Sequence, residues 1–386
     1  MNRLKLFVLL FFFLFQKYNP TLGQTLSEDS EITLITCNPG EELYSVFGHS
    51  AIRIHDKTKK IDWVYNYGTF NFDEPDFYVK FVRGYLNYQL SVYPMKYFME
   101  EYQYENRSVF EQVLNLNQEE KNKIFKFLEY NRRPENKYYL YDFFFDNCAT
   151  RVRDVYTNKL DSIHFNSQNY SSISFRSMLK PYLAKHYWSR FGINLVLGQI
   201  ADRNSTLEES MFLPDYMKLA FDNAYIGNKK IVKNSRILFE QKPSDNSLPL
   251  YLRPGFVFIV ILVIVVFLTI LEYKQNRHFR VVDFLVFLVI GIIGMILFFM
   301  WFGTNHTAVV KNWNLMWAIP THFLLSFFVF IKKKSAFLKY YFLIAGIVTI
   351  LVLPFWPIIP QRFDYAIIPI ILLSGLRSYQ MYRFNK

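Results

Sequence analysis

The 386-residue sequence has only two cysteines, Cys37 and Cys148, which excludes a disulfide-dense scaffold. No two His or Cys fall at a ligand spacing such as HxxxH or CxxC, so a zinc site has no local support. GxSxG, the phosphate-binding GxxxxGK[ST] loop and GxGxxG are also absent, which removes the local signatures of serine hydrolases, P-loop proteins and dinucleotide enzymes. Residues 24–250 lack a charge excess, with 28 basic against 29 acidic residues, so the formal net charge of +12 supplies no basic groove there for nucleic acid. Disorder is excluded by a composition that is 52% hydrophobic and 19% aromatic. No metal, cofactor or nucleic-acid partner is expected.

The positive charge sits at the two ends, among long apolar runs. Residues 1–23 carry Arg3, Lys5 and Lys17, an apolar core from Leu4 to Phe15, then Pro20 and Gly23, and read as a secretory signal. No cysteine stands directly after the cleavage region near Gly23, which argues against the chain being a lipoprotein. Past Leu250 five apolar runs follow, at about 255–271, 282–302, 315–331, 337–353 and 363–376, and are expected to be five membrane helices within a domain spanning 251–386. Lys274, Arg277 and Arg280, then Lys332, Lys333, Lys334 and Lys339, then Arg377, Arg383 and Lys386 alternate with outward loops holding Lys311 and Arg362. By the positive-inside rule this orients residues 24–250 outward. A multi-pass protein of a bacterial inner membrane is expected, with its soluble domain on the periplasmic side.

Within 24–250, β-rich stretches occur at Ile32–Cys37, Ser50–His55 and Ile61–Tyr67, separated by turn residues. Asn117 with Glu120 predicts a capping box opening a helix that Pro134 stops. Residues 177–201 read as partly helical and 242–249 as a linker, so the class is α+β with a core over about 32–190. In YLYDFFFDNCATRVRD, Asn147 is a good N-cap, which puts Cys148 at the first helical position. A thiol there faces the positive end of the helix, and Arg151 one turn on is expected to favour the thiolate further. His49, after Gly48 at the head of a strand, is the candidate base, and Asn66 on the next strand is the first choice to orient it, ahead of Asp62 and Tyr67. The residues alone leave three readings open: a Cys37–Cys148 disulfide, a catalytic Cys148, or two plain thiols. Phe143, Phe144 and Phe145 fit either an acyl cavity or a core.

TCNPGEELYSVFGHSAIRI, VYNYGTFNF, NRSVFEQVLNLNQEEK and YDFFFDNCATRVRD, in that order, resemble the periplasmic domain of the lipoprotein N-acyltransferase B (Lnb) family. TNHTAVVKNWNLMWAIP is similar to that family's membrane domain. The resemblance implies a circularly permuted papain-like domain, related to NlpC/P60 proteins, followed by the membrane helices. It implies an acyltransferase whose catalytic pair maps onto His49 and Cys148, with a phospholipid acyl donor and a diacylated lipoprotein acceptor at the membrane. Asn147 as an oxyanion neighbour, and Asn305 and His306 in the loop after the second run, are supporting candidates. A papain-like amidase or peptidase acting on cell-wall peptides, and a membrane-anchored binding protein with a structural disulfide, remain the competing readings.

Overall fold

The computed structural model describes residues 25–161, 163–168, 170–242, 248–331 and 336–384. The expected signal at 1–23, residues 243–247 of the linker, and Lys332, Lys333, Lys334 and Lys386 of the charge pattern lie outside the described residues. In chain order the strands are β1 Glu31–Cys37, β2 His49–Asp56, β3 Ile61–Thr69, β4 Asn87–Pro94, β5 Val109–Leu114, β6 Tyr138–Leu140, β7 Ile163–Phe165, β8 Ala224–Ile226, β9 Lys229–Lys230 and β10 Val232–Phe239. An antiparallel seven-stranded sheet runs β10-β5-β1-β2-β3-β4-β6, and β7, β8 and β9 form a small second sheet. The three sequence-predicted strands are the centre of the large one.

These central strands are apolar on both faces because helices cover both. Helix α1, Phe77–Arg83, bridges β3 and β4; α2 is Met95–Tyr104, α3 is Gln118–Asn131 and α4 is Cys148–Lys159. On one face Leu34, Ile52, Ile54 and Tyr65 pack with Ile124 and Leu128 of α3 and with Val152 and Tyr156 of α4. On the other, Ile35, Ala51 and Val64 pack with Met95, Phe98 and Tyr102 of α2. Full burial of each such side chain stabilises by about 1.5–3 kcal/mol before entropy is counted. The predicted capping box forms: Glu120 N–H donates to Asn117 Oδ1 at 2.9 Å and Asn117 N–H to Glu120 Oε2 at 2.7 Å. Helix α3 ends at Asn131, ahead of Pro134. Downstream, the partly helical stretch resolves into α5 Phe175–Leu179, α6 Tyr187–Val196 and a 3-10 turn at Gln199–Asp202, followed by α7 Pro214–Asp222.

The membrane domain departs from the five-helix expectation. Among the described residues three helices are long and apolar enough to cross a membrane: α8 Pro254–Gln275, α9 Arg280–Gly303 and α10 Ala336–Phe355. The third run is broken into a 3-10 turn at Trp313–Met316, a short helix at His322–Leu325 and a second 3-10 turn at Ser326–Phe330. Its backbone presses on α9, where Gly291 and Gly294 leave no room for a Cβ beside Phe323 and Ala318. Irregular backbone at membrane depth is tolerable when another helix shields it in this way. The fifth run becomes the 16-residue α11, Ile368–Arg383, packed along α10.

Arg377 is also not the cytoplasmic-loop charge that its place in the sequence predicts. It is fully buried, donating to Asp283 Oδ1 at 2.6 Å, to Glu272 Oε2 and Oε1 at 2.6 and 2.9 Å, and to Thr269 Oγ1 at 2.8 Å, so it ties α11 to α8 and α9. Removing one member of such a network leaves an uncompensated buried charge. Arg377→Met is expected to cost about 3–5 kcal/mol, read as a lowered thermal midpoint of the detergent-solubilised protein. Adding Glu272→Leu and Asp283→Leu to it is expected to recover most of that loss; an unchanged midpoint in the single variant contradicts the tie.

Candidate active site

Strand β2 starts at His49 directly after Gly48, whose positive φ of 79° turns the chain into the sheet opposite Cys37. Its neighbour β3 carries Asn66, on the same sheet face as Val64 and the packing of α2. The His49 Nε2 to Asn66 Oδ1 distance is 2.5 Å. An amide oxygen only accepts, so the imidazole Nε2 is the donor and the Nδ1 lone pair is left free to act as a base. The Asn66 amide is fixed in turn by donating to Tyr93 Oη on β4 at 2.7 Å. The imidazole lies nearly parallel to the Tyr102 ring, with centroids 6.5 Å apart.

Cys148 enters the same rim from the opposite face of the sheet, as the first residue of α4. Asn147 caps that helix: its Oδ1 accepts from Thr150 N–H at 2.9 Å, and Thr150 Oγ1 accepts from Asn147 N–H at 2.7 Å. Its amide nitrogen is spent on the carbonyls of Phe143 and Phe212, at 3.0 and 2.9 Å. The Asn147 side chain thus builds the helix start and has no donor left for a substrate oxyanion. A Cβ at Gly68, on β3 at φ 89°, would lie 3.1 Å from Cys148 Cβ, so only glycine lets the helix start seat this closely. Backbone N–H groups of Ser50, Ala149 and Cys148 itself interact with the sulfur. Ser50 follows His49 directly, which brings thiol and imidazole to one rim of the sheet.

The electrostatics differ from the activated thiolate expected from the helix start. Burial pushes the Cys148 thiol up to about 11, against the pull of those three backbone N–H groups. Burial also pushes His49 down to about 4, with the Asn66 hydrogen bond opposing it. Both shifts favour the neutral thiol and the neutral imidazole. Arg151 is engaged by other groups: its Nε and one terminal nitrogen donate to Asp146, and its guanidinium lies 4.1 Å over the Tyr139 ring. The cation that does act on the pair is Arg107, 4% exposed and 4.6 Å over the Tyr102 ring. Its charge favours the thiolate of Cys148 and disfavours the imidazolium of His49.

Cys37 is a buried free thiol and Cys148 is likewise unpaired, so the structural-disulfide reading loses its bond. Phe144 is core, against Phe175 and Phe212, and Phe143 packs on Phe47. Asn305 and His306 bind α1: Asn305 N–H donates to Arg83 O at 2.8 Å, and His306 Nε2 lies 3.2 and 3.1 Å from the carbonyls of Phe81 and Val82. Beside them Thr307 donates to Asp142 Oδ2, while Asp142 Oδ1 accepts from Phe144 N–H and Phe145 N–H in the turn just before Cys148. Tyr93, Tyr102, Arg107 and Asp142 were not signalled by spacing; each reaches the site through the tertiary fold. A cavity of about 980 Å³ opens between α6, the start of α8 and the segment 356–366 that joins α10 to α11, but neither His49 nor Cys148 lines it. Among the described residues no group of three or more His, Cys, Asp or Glu gathers to hold a metal ion.

A sheet domain with Cys, His and Asn at one rim, bonded to a helical membrane domain, defines a membrane-anchored Cys–His protein. Two family models match it: the Lnb N-terminal periplasmic domain over residues 19–180 and the Lnb transmembrane domain over residues 244–386. The chain belongs to the Lnb family. Its sheet domain is the periplasmic part, and membership points to an acyltransferase-type role on lipoproteins at a membrane. No curated protein and no solved structure matches the chain.

A neutral pair has a direct signature. Below its pKa a thiol's reactive thiolate fraction rises about tenfold per pH unit. Alkylation of Cys148 by iodoacetamide in the full-length protein should therefore accelerate with pH up to about 11. A plateau beginning below about pH 8 would instead mark a preformed thiolate–imidazolium pair.

Proposed function

We propose that the protein transfers an acyl chain from phospholipid to the α-amino group of diacylglyceryl-cysteine lipoproteins, through a thioester on Cys148. The observation that carries the reading is the His49–Asn66 bond of 2.5 Å, which leaves the imidazole Nδ1 as a free base at the rim where α4 presents the thiol. His strand before Cys helix, with the helix start seated on the sheet, supports a permuted papain-like arrangement. The membrane domain supports substrates embedded in lipid, because it holds the rim at the bilayer rather than leaving it to search in solution.

In the first half-reaction His49 takes the thiol proton as Cys148 Sγ attacks the ester carbonyl of the phospholipid. Backbone N–H groups at the start of α4, those of Cys148 and Ala149, face the developing oxyanion. The C–O bond breaks, the lysophospholipid oxygen takes the proton from His49, and the S-acyl enzyme remains. In the second half-reaction the lipoprotein's free amine attacks the thioester carbonyl and His49 takes its proton. The C–S bond breaks, the sulfur recovers that proton, and the N-acyl product leaves. A thioester suits this sequence because a neutral amine attacks it far more readily than the starting ester. The neutral resting pair suits it as well, since a protonated thiol resists oxidation in the periplasm until an acyl donor arrives.

The test is acyl transfer by full-length protein in phospholipid vesicles to a synthetic diacylated lipopeptide, followed by mass spectrometry. Cys148→Ala is expected to abolish the added acyl chain and Cys37→Ala to retain it. His49→Ala is expected to lower kcat by about 10²–10⁴-fold, the ordinary worth of a general base. Transfer that persists in Cys148→Ala sinks the assignment of the nucleophile.

A further inference from the structure

We propose that α1, Phe77–Arg83, lies in the outer leaflet of the membrane and is where a phospholipid acyl chain leaves the bilayer on its way to Cys148. This rests on the acyl-transfer reading above. Its first support is position. Helix α9 ends at Gly303, and the residues immediately after it hold the last turn of α1, through Asn305 N–H to Arg83 O at 2.8 Å and His306 to the carbonyls of Phe81 and Val82. Two residues span no more than about 7 Å, so α1 is fixed at the outer end of a membrane span.

Its second support is the face that α1 turns outward. Tyr78 is 77% exposed and Val79 58%, and Phe81, Val82 and the following Tyr85 are exposed too, whereas Phe77 is the buried residue of the helix. Its two cations are occupied: Lys80 pairs with Glu74 at 2.8 Å, and Arg83 lies 5.3 Å over the Tyr85 ring. A short helix with an outward apolar face edged by tyrosines is suited to the headgroup and acyl boundary of a bilayer and poorly suited to water.

The third support is what joins α1 to the thiol. Ring centroids step from Phe81 to Phe77 at 6.2 Å, to Phe70 at 5.6 Å, to Tyr88 at 5.3 Å and to Tyr141 at 4.4 Å. Tyr141 precedes Asp142, whose backbone bridge to Asp146 leads directly into Asn147 and Cys148, and Phe70 follows two residues after Gly68, the glycine against Cys148 Cβ. A line of aromatic rings thus leads from the bilayer edge to Tyr141, at the head of the turn that runs into Cys148. It is an apolar guide for a hydrocarbon chain, whose occupant is an outer-leaflet phospholipid.

The test uses full-length protein in phosphatidylcholine vesicles. A nitroxide is attached at Val79→Cys, and separately at Lys126→Cys on the exposed side of α3, both in a Cys148→Ser background. Collision with oxygen should exceed collision with a water-soluble nickel chelate at position 79, and the order should reverse at 126. Nickel access at 79 equal to that at 126 overturns the proposal, as does low access to both reagents, which would mean that protein, such as a second copy, covers α1. In the second arm Val79→Ser/Phe81→Ser/Val82→Ser, with Cys148 intact, should lower Cys148 acylation from vesicles about tenfold, as loss of remote substrate binding does, and leave iodoacetamide alkylation of Cys148 within about twofold. Unchanged acylation overturns the route. Absence of acylation in the unmodified protein would defeat the transfer reading instead, and the depth comparison would still decide where α1 lies.

Discussion

The hydrogen bond from His49 Nε2 to Asn66 Oδ1 is the contact on which the site's chemistry depends. It settles which imidazole nitrogen carries the proton and hence which one can accept another. Because the partner is an amide and not a carboxylate, it orients the ring without adding a negative charge that would stabilise an imidazolium. Burial then keeps His49 neutral and Cys148 protonated. Arg107, behind Tyr102, favours negative charge on the sulfur and disfavours a positive charge on His49, so it helps keep the imidazole neutral before attack. Under the proposed reading the site works by proton transfer coupled to attack, not through a standing ion pair.

The membrane domain does more than anchor this rim. Its loop after α9 donates to Arg83 O, grips α1 through His306, and reaches Asp142, the residue that shapes the turn before Cys148. Farther along, Asn312 and Asn314 donate to Leu195 O at 2.7 and 3.0 Å, tying the same loop to α6. One loop therefore touches α1, the turn preceding Cys148 and the helical part of the periplasmic domain. The buried Arg377, Glu272 and Asp283 cluster holds α8, α9 and α11 together beneath it.

Much of the sheet centre could be read in the sequence, because runs such as ITLIT must be buried on both sides and their β-branched residues suit a strand. The Asn117 and Asn147 caps could be read because capping is local chemistry. Strand β4, NYQLSVYP, could not, since its alternation of aromatic and polar residues matches no single buried face. The third apolar run reads as a full span because hydropathy does not distinguish a segment buried in lipid from one buried against α9. The partners of Arg151 and Arg377 are not legible for a shared reason: a cation's effect depends on its partner, and neither Asp146 nor the Glu272–Asp283 pair can be assigned from spacing alone. Asn66 was within reach because a strand beside His49 offers few polar positions. Tyr93, Tyr102 and Arg107 come from a strand, a helix and the loop after it, whose approach only the fold reveals.

The central claim is that Cys148 carries the acyl chain. The most direct measurement incubates full-length protein with phospholipid of a single known chain, without any acceptor, and maps the modified peptide by mass spectrometry. The account predicts a hydroxylamine-labile adduct of that acyl mass on the peptide containing Cys148. An unmodified Cys148 peptide, or an adduct confined to another residue, would contradict it.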